Sequence, residues 1–301
     1  MVLLRAHDAP DPFAFVFAIF IVIVLLTYLI LRAKGIINEV TLPRILRNLR
    51  LSPAQTAILD RYFYYYYDMP DEKLKSIFRN RVAFFIRIKD FIPKGGLAEV
   101  NDEMKVLIAA SATQMAFGYP DVYFMHFRRI YVFPAEFVLP DSSDTYDGKV
   151  NLSGGIVISW RSFLNGYKFP EDGRNLGLHE MAHAMYFENA VRNDEYNFLD
   201  RRALVKYALL AKKEMQQTES GFSRFFRDYA TLNRHEFFAV AVESFFERSV
   251  EFRDHNPELY KSMTELLNQD PAEKIYILKK KPVRPFFNAV VYRPEWMARN
   301  W

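Results

Sequence analysis

The hydrophobic pattern of this chain changes near residue 50, from one long apolar run to shorter periodic segments. Residues 13–31 are apolar except for Thr27 and Tyr28, and no polar stripe of helical period interrupts them. A run of this length is typical of a membrane-spanning helix. A buried core helix and a cleaved signal peptide are the alternatives. We predict a transmembrane helix over residues 12–32, after a short N-terminal segment of residues 1–11.

Basic residues flank this run unequally, and the imbalance predicts an orientation. Arg5 is the one Lys or Arg before the run, whereas five such residues fall between residues 32 and 50. Cytoplasmic flanks of membrane helices are enriched in Lys and Arg. We therefore predict a single-pass protein of the cell inner membrane whose main domain faces the cytoplasm. Residues 33–51 form a basic juxtamembrane linker, either solvated or lying against anionic lipid headgroups.

The pattern beyond residue 51 predicts a mainly helical α+β domain over residues 52–278, followed by an aromatic and proline-rich tail over residues 279–301. Ser52-Pro53 has the form of a helix N-cap with a first-turn proline. Apolar residues at helical spacing then predict further helices at 72–90, 101–116, 197–218, 234–248 and 256–268. The short apolar runs 129–133 and 155–160 predict a small β-sheet.

Composition limits the chemistry that this domain can perform. The chain has no cysteine, so a metal site would have to use histidine and carboxylate ligands. The net charge is +4, and no Arg/Lys stripe dominates the globular part. Nucleic acid is therefore not an expected partner.

The most informative motif is His179-Glu180-x-x-His183, which follows the helix-capping sequence Asp172-Gly-Arg-Asn175. Residues four apart lie on one face of a helix, so both imidazoles can reach one metal ion. Glu180 lies beside that face, where it can take a proton from a metal-bound water. The motif predicts a zinc hydrolase, most often a peptidase.

A catalytic zinc usually has three protein ligands, and the third one is not adjacent to this motif. The apolar segment 229–247 carries Glu236, Glu243 and Glu247 near one helix face. Buried carboxylates need a partner, and a metal ion held by two imidazoles is a suitable one. The spacing does not separate Glu236 from Glu243. His235 is a further alternative, although it points away from Glu236.

Several ordered segments between roughly residues 70 and 270 match a known family. They are Ile108-Ala-Ala-x-Ala-x-Gln-x-x-Phe-Gly118, Tyr131-Val-x-Pro-x-x-Phe137, Ile156-Val-Ile-Ser-Trp160, Asp172-Gly-x-Asn-Leu-x-Leu-His-Glu-x-Ala-His183, Tyr229-Ala and Glu236-Phe-Phe-Ala-Val-x-x-Glu243-x-Phe-Phe-Glu247. With them the chain resembles the Mlc titration factor A family of zinc-dependent peptidases. The resemblance implies a zincin-like metallopeptidase domain, mainly helical with a small sheet.

The resemblance also implies roles for individual residues. Zn²⁺ would be bound by His179, His183 and Glu236, with Glu180 as the general base. Tyr229 matches a family tyrosine that faces the oxyanion, and Glu243 becomes an acceptor behind the metal ligands. Where many family members carry a histidine before the Ser-Trp strand, this chain has Asp147 in a shorter loop. A metal contact present in the family is therefore changed here.

The function expected from these observations is a membrane-anchored zinc metallopeptidase acting on a peptide or protein substrate. Both aminopeptidase-like and endopeptidase action are compatible with the motif. We further expect the strand at 156–160 to lie along the cleft and to offer its edge to an extended peptide. The alternative is a membrane-tethered regulatory binding protein that sequesters a cytoplasmic partner such as a transcription repressor. The family role in binding a repressor has no matched surface in this chain.

Overall fold

The structure, a computed structural model, describes residues 17, 19–27, 49–138, 143–191, 195 and 197–278. From residue 49 onward these residues form a mainly helical α+β fold with a small four-stranded sheet and a separate two-stranded pair, which confirms the predicted mainly helical α+β class. The α-helices beyond residue 49 are α1 Pro53–Tyr62, α2 Tyr64–Tyr67, α3 Glu72–Ile88, α4 Asp102–Met115, α5 Trp160–Lys168, α6 Leu176–Ala190, α7 Arg201–Glu219, α8 Arg234–Glu247, α9 Ser249–His255 and α10 Pro257–Leu267.

Most of these helices begin at a side chain that accepts a backbone N–H. At α1, Ser52 and Gln55 form a reciprocal capping box, and Pro53 follows in the first turn. The side chains of Asp71, Asn101, Ser159, Asn175, Asp200, Asn233 and Asn256 cap α3, α4, α5, α6, α7, α8 and α10. The boundaries therefore follow from local sequence, because such caps satisfy N–H groups that no helix can satisfy internally.

The main sheet contains β1 Asp90–Pro93, β2 Arg129–Phe133, β5 Gly148–Asn151 and β6 Gly155–Ser159 in the order β1-β2-β6-β5. Strands β1, β2 and β6 run parallel to one another, whereas β5 pairs antiparallel with β6. Strands β3 Phe137–Val138 and β4 Thr145–Tyr146 form a separate two-stranded pair.

The expectation that the strand at 156–160 offers a free edge is wrong. β6 is hydrogen-bonded on both sides, to β2 and to β5. The edge strand beside it is β5, which the hydrophobic pattern did not reveal because it is short and half exposed. β6 also ends one residue earlier than expected, at Ser159. Ser159 caps α5, and Trp160 is the first residue of that helix.

The predicted helix over residues 72–90 is also shorter than expected. It ends at Ile88, and Asp90 begins β1. Asp90 pairs with Arg129 in a parallel ladder. Strand pairing with β2 therefore overrides the local helical propensity of this segment.

Helices α4, α6 and α8 form the centre of the core, and α6 and α8 carry the histidines and carboxylates of the predicted site. α6 packs against both α4 and α8. The approach is close at Gly177, where an added Cβ would lie 2.6 Å from the Phe163 ring and 2.8 Å from Ser111 Oγ. Both neighbours are buried, so a larger residue would have to displace them. The glycine thus lets the motif helix sit deep in the protein.

The predicted membrane localisation requires a correction. Among the described residues, no helix is both long and apolar enough to cross a membrane. In the predicted span, residues 17 and 19–27 are helical. The prediction of a single-pass inner-membrane protein is therefore not supported. The remaining residues of the predicted span (12–16, 18 and 28–32) lie outside the described residues. So do residues 33–48 of the predicted linker and the predicted tail at 279–301.

Candidate metal centre

The N-cap of α6 sets the position of the first motif histidine. Asn175 is buried, and its side-chain oxygen accepts the N–H of Leu178 at 3.0 Å. The helix therefore begins one turn before His179. His179 and His183 then lie on one face, one turn apart, with their ring centroids 4.8 Å apart. Both side chains are largely buried, in the face of α6 that meets α8.

Three ligand-type atoms converge between α6 and α8. His179 Nε2 lies 3.1 Å from His183 Nε2 and 3.1 Å from Glu236 Oε2, and His183 Nε2 lies 3.5 Å from the same oxygen. In tetrahedral zinc sites, metal–nitrogen bonds of about 2.0–2.1 Å place neighbouring ligand atoms about 3.3 Å apart. The three atoms therefore have the mutual spacing that one such ion would require, and this chemistry of two imidazoles and a carboxylate suits a metal ion.

Glu243 has a different environment from Glu236. Its carboxylate accepts His179 Nδ1–H at 2.7 Å, the backbone N–H of Asn175 at 2.7 Å, and two guanidinium N–H groups of Arg227 at 2.6 and 3.1 Å. The side chain is buried. Both oxygens are thus engaged on the side of His179 that faces away from the cluster, where they orient the ring rather than meet its Nε2.

The two carboxylates change the proton affinity of the histidine between them. Burial lowers the pKa of His179, but its hydrogen bonds to Glu236 and Glu243 outweigh that effect and raise the pKa to about 10. Burial raises the pKa of Glu236, but hydrogen bonds from His179 and His183 outweigh it and leave the pKa well below its usual range. The proton on His179 and the negative charge on Glu236 therefore compensate each other, and a bound metal cation would displace that proton.

Glu180 lies beside the cluster without being part of it. Its side chain is buried, and its Oε2 accepts no hydrogen bond from any residue in the described part of the chain. Burial raises the pKa of this carboxyl, partly offset by His179 and His183. The backbone of β5 packs directly onto the carboxylate, because a Cβ at Gly148 would lie only 2.4 Å from Glu180 Oε1. Glu180 is thus held in a desolvated position next to the edge strand.

Tyr229 approaches the cluster from a 3-10 turn over Asp228–Thr231. Its ring centroid is 6.0 Å from that of His179, and the residue is 46% exposed, so its hydroxyl can meet a molecule in the cleft. Burial and the nearby Glu236 carboxylate raise the pKa of Tyr229 to about 12. The phenol therefore keeps its proton at neutral pH and can donate it in a hydrogen bond.

Two other sequence candidates are not brought into the cluster. The Asp147 carboxylate accepts the Ser162 hydroxyl at 2.6 Å, so in this structure it binds a neighbour on α5. The His235 ring lies edge-on against Tyr186 at 4.5 Å, and none of its nitrogens belongs to the converging group.

Two cavities meet at this site. One, of about 680 Å³, extends from the cluster past Asp147 and Arg174, and the other, of about 350 Å³, extends past Lys149 and His235. Five residues line both cavities: Tyr146, Gly148, His179, Glu180 and Tyr229. The buried carboxyl of Glu180 and the exposed phenol of Tyr229 therefore lie where the two cavities adjoin.

Comparison with known protein families agrees with this geometry. The model of a family described as glucose-regulated metallo-peptidase M90 matches residues 38–267, which is 230 of the 301 residues. This chain belongs to that family. The expected resemblance is confirmed, and the family points to a metallopeptidase-like protein with a metal ion at its site.

Several relatives of this M90 family protein match at low identity. An uncharacterized protein of Synechocystis sp. is 24% identical over 241 residues, which are 73% of this chain and 86% of that protein. Mlc titration factor A of Salmonella agona is 27% identical over 50% of this chain and 63% of its own length. The Escherichia coli protein of the same name is 26% identical over 50% and 62%. The chain thus spans less than two thirds of the length of these two Mlc titration factors.

Sequence reasoning missed Arg227 in this M90 family protein. Its guanidinium forms a two-pronged ion pair with Glu243, donates to the Gly173 carbonyl at 3.0 Å and lies 5.8 Å over the Tyr229 ring. It therefore ties the turn that carries Tyr229 to the carboxylate behind His179. The sequence did contain a hint of Arg227, because a buried Glu243 requires a cationic partner. A metal ion would satisfy that requirement equally well, so the sequence did not single out the arginine.

We expect Arg227→Met to destabilise the fold by about 2–3 kcal/mol. Removing one partner of a fully buried ion pair costs about 3–5 kcal/mol. The cost is lower here because Arg227 is 27% exposed and the Glu243 carboxylate retains two other donors, His179 and Asn175. Urea denaturation measures the change. Arg224→Met, at an exposed position nearby, is the matched control and should change stability by less than about 0.5 kcal/mol. Equal stability of the two variants would contradict the role of Arg227.

Proposed function

We propose that this protein is a zinc metallopeptidase in which His179, His183 and Glu236 bind the metal ion. The observation that carries the proposal is the convergence of the two imidazole nitrogens and one carboxylate oxygen within 4.8 Å, on two buried helices. Such a set, without cysteine, is the donor chemistry of catalytic zinc sites that keep one position open. When bound, zinc lowers the pKa of a coordinated water and polarises the scissile carbonyl.

Glu180 acts as the general base in this proposal. It lies one residue from the first ligand, in a desolvated position that raises its pKa towards the value useful for proton transfer at neutral pH. Its Oε2, which accepts no hydrogen bond from a described residue, can accept the proton of the attacking water. The same carboxyl then passes that proton to the leaving amine. The close packing against Gly148 restricts the carboxylate to the cleft side of α6.

Tyr229 and β5 handle the substrate in this proposal. The protonated Tyr229 hydroxyl donates to the oxygen that becomes negative as the carbonyl is attacked. β5 lies at the edge of the described sheet, beside Glu180, so an extended peptide can add to it as a further strand. The cavities on both sides of Glu180 leave room for residues before and after the scissile bond, which favours endopeptidase action.

Metal analysis combined with peptide hydrolysis tests this function on the full chain. We expect one zinc per chain and hydrolysis of an unstructured peptide mixture. Chelation should abolish hydrolysis, and added zinc should restore it, because the cleft residues alone provide no comparable electrophile. Purified protein with full zinc occupancy and no hydrolysis of any peptide would reject the proposal.

Gly148→Ala tests the placement of Glu180 without touching a proposed ligand. The new methyl group would lie 2.4 Å from Glu180 Oε1, so the carboxylate must shift. A misplaced general base should lower kcat by about 10–100-fold while zinc content stays unchanged, since positioning errors of this kind cost about 100-fold. Steady-state kinetics and metal analysis measure both quantities. Gly96→Ala is a control for the general cost of replacing a glycine: its φ of +81° makes an alanine strained there, but the added Cβ meets nothing within 4 Å, so kcat should stay unchanged. Unchanged kcat in Gly148→Ala would remove the placement argument.

A second candidate function comes from the name of the Mlc titration factor A relatives. In that hypothesis the protein captures a regulatory protein partner, such as a transcription repressor, and hydrolysis is secondary. Capture needs a surface rather than Glu180. The Glu180→Gln protein should therefore retain full regulatory activity if capture is the main function and lose it if hydrolysis is.

A further inference from the structure

The edge strand β5 presents its residues alternately to two environments. Gly148 is half-buried, and a Cβ there would touch the Glu180 carboxylate. Lys149 is exposed, on the opposite face of the strand. The pairing with β6 continues to Asp147, whose carbonyl accepts the N–H of Ser159 at 2.7 Å. Residues two apart on an extended chain point the same way, so Asp147 and Lys149 share the exposed face.

Lys149 lies at the smaller of the two cavities of the cleft, the one of about 350 Å³. Its Nζ is 4.9 Å from the centroid of the Tyr146 ring, which also lines that cavity. This cation–π contact holds the flexible side chain along the cleft. Lys149 forms no ion pair with any residue of the described part of the chain. Its charge is therefore open to a molecule that enters the cavity.

The other charges of the smaller cavity belong to the metal centre. Its described lining contains two carboxylates, those of Glu180 and Glu236. When zinc is bound, the two charges of the ion balance them, so Lys149 leaves this cavity with a net positive charge. Uncharged hydroxyl and amide groups also line it, and these can bind a carboxylate or a neutral side chain alike; they belong to Tyr146, Tyr229 and Asn233.

The larger cavity of the cleft, of about 680 Å³, has the opposite charge balance beyond the metal centre. Asp147 and Asp172 line it against one guanidinium, that of Arg174. The other arginine in its lining, Arg227, is already paired with Glu243. The two ends of the cleft thus differ in sign. A negatively charged side chain of a bound peptide is attracted to the smaller cavity and repelled by the larger one.

We propose that Lys149 selects peptide substrates with an Asp or Glu side chain on the side of the scissile bond that occupies the smaller cavity. This inference rests on the proposed peptidase function and on strand addition to β5. Directly opposite residues of paired strands have Cβ atoms about 4.5–5.5 Å apart, with side chains on one face. A substrate residue opposite Lys149 therefore brings its carboxylate beside the ammonium, whereas the residue opposite Gly148 faces Glu180.

The expected size of this selection follows from the exposure of Lys149. Opposite charges across a strand pairing favour it and like charges disfavour it, each by a factor of about 1.4- to 5-fold. The contrast between a Glu and a Lys peptide is the product of the two factors, about 2- to 30-fold. The Debye length falls from about 8 Å at physiological ionic strength to about 3 Å at 1 M salt. The contrast should therefore shrink at 1 M sodium chloride.

Kinetics of the full-length, zinc-loaded protein on a matched peptide series tests the inference. Mass spectrometry locates the cleavage site in a neutral peptide, and Glu, Gln or Lys is then placed at each of the two positions on either side of that bond. The peptides are acetylated and amidated, so the side chain is their one carboxylate. We expect a position, on one side of the bond, where Glu raises kcat/KM about 1.4- to 5-fold over Gln and Lys lowers it similarly. A preference seen only with a free C-terminus would overturn the inference.

Variants at residue 149 show whether this side chain is the cause. Lys149→Glu should invert the preference at that position, and Lys149→Gln should abolish it. Both variants should hydrolyse the Gln peptide at the wild-type rate, which shows that the cleft is intact. Lys212→Glu is the control, because it makes the same reversal at an exposed position on α7 that lines neither cavity. It should keep the wild-type preference. An unchanged preference in Lys149→Glu would refute the inference.

Peptide binding separates this inference from the peptidase proposal. Fluorescence anisotropy gives the Kd of the same peptides for Glu180→Gln protein, with and without Lys149→Glu, and requires no hydrolysis. Hydrolysis by the wild-type protein with no charge preference would refute the inference and leave the peptidase function standing. Charge-dependent binding that Lys149→Glu inverts, without hydrolysis by the wild-type protein, would support selection by Lys149 and reject the peptidase function. Neither hydrolysis nor charge-dependent binding would refute both.

Discussion

Glu180→Gln should lose hydrolysis by about 1000- to 10,000-fold while keeping its zinc. The amide has the size of the carboxylate, so the packing against Gly148 is preserved. It cannot accept a proton from the attacking water, and it therefore removes the base without removing a ligand. Burial of a neutral amide should also leave stability unchanged or higher, because the carboxyl in this position already has a raised pKa.

The measurement is kcat on a peptide substrate, together with zinc content and thermal unfolding of the same preparation. Glu258→Gln makes the same chemical change at an exposed position and should keep full activity. If Glu180→Gln retained more than about one tenth of the activity, another group would have to be the base. A parallel loss of zinc would instead mean that Glu180 contributes to the metal site.

Glu236→Gln should weaken zinc binding by more than about 100-fold, which exceeds the effect of altering a residue behind the ligands. The reason is that Glu236 Oε2 lies at 3.1 and 3.5 Å from the two imidazole nitrogens, at the point where a shared ion would sit. An amide oxygen carries no charge and is a much poorer partner for the cation.

Glu243→Gln is the matched comparison, because it makes the same change on the same helix. The Glu243 carboxylate binds His179 through Nδ1, on the opposite side of the ring from the cluster. We expect it to weaken zinc binding by only about 10–100-fold. Competition with a chromophoric chelator measures both affinities. A larger loss in Glu243→Gln than in Glu236→Gln would reverse the assignment of the third ligand.

The motif helix could be predicted from sequence because its information is local. Spacing alone places His179 and His183 on one face, and Asn175 is recognisable as a cap. The choice between Glu236 and Glu243 is not local. Both carboxylates lie on α8 two turns apart, and which one meets Nε2 depends on how α8 crosses α6. Only the resemblance to the family, and then the three-dimensional packing, distinguishes Glu236 from Glu243 as the third ligand.

Strand β5 and Arg227 show the same dependence on tertiary structure. β5 has four residues with alternating exposure and weak hydrophobicity, and it exists because β6 offers a pairing edge. Arg227 lies in a segment without regular structure and acquires its role only where the chain returns to Glu243. For the N-terminal apolar run, in contrast, the local pattern predicted an element that the described residues do not contain. Its composition fits a spanning helix, yet the described residues contain none.

In the proposed site, one metal ion joins α6 to α8 through three side chains. Anomalous diffraction at the zinc edge, from crystals of the zinc-loaded full chain, tests it most directly. We predict a single strong peak about 2.0–2.2 Å from His179 Nε2, His183 Nε2 and one Glu236 carboxylate oxygen. A peak on the Glu243 carboxylate, or zinc bound elsewhere with no peak between the two imidazoles, would contradict the account.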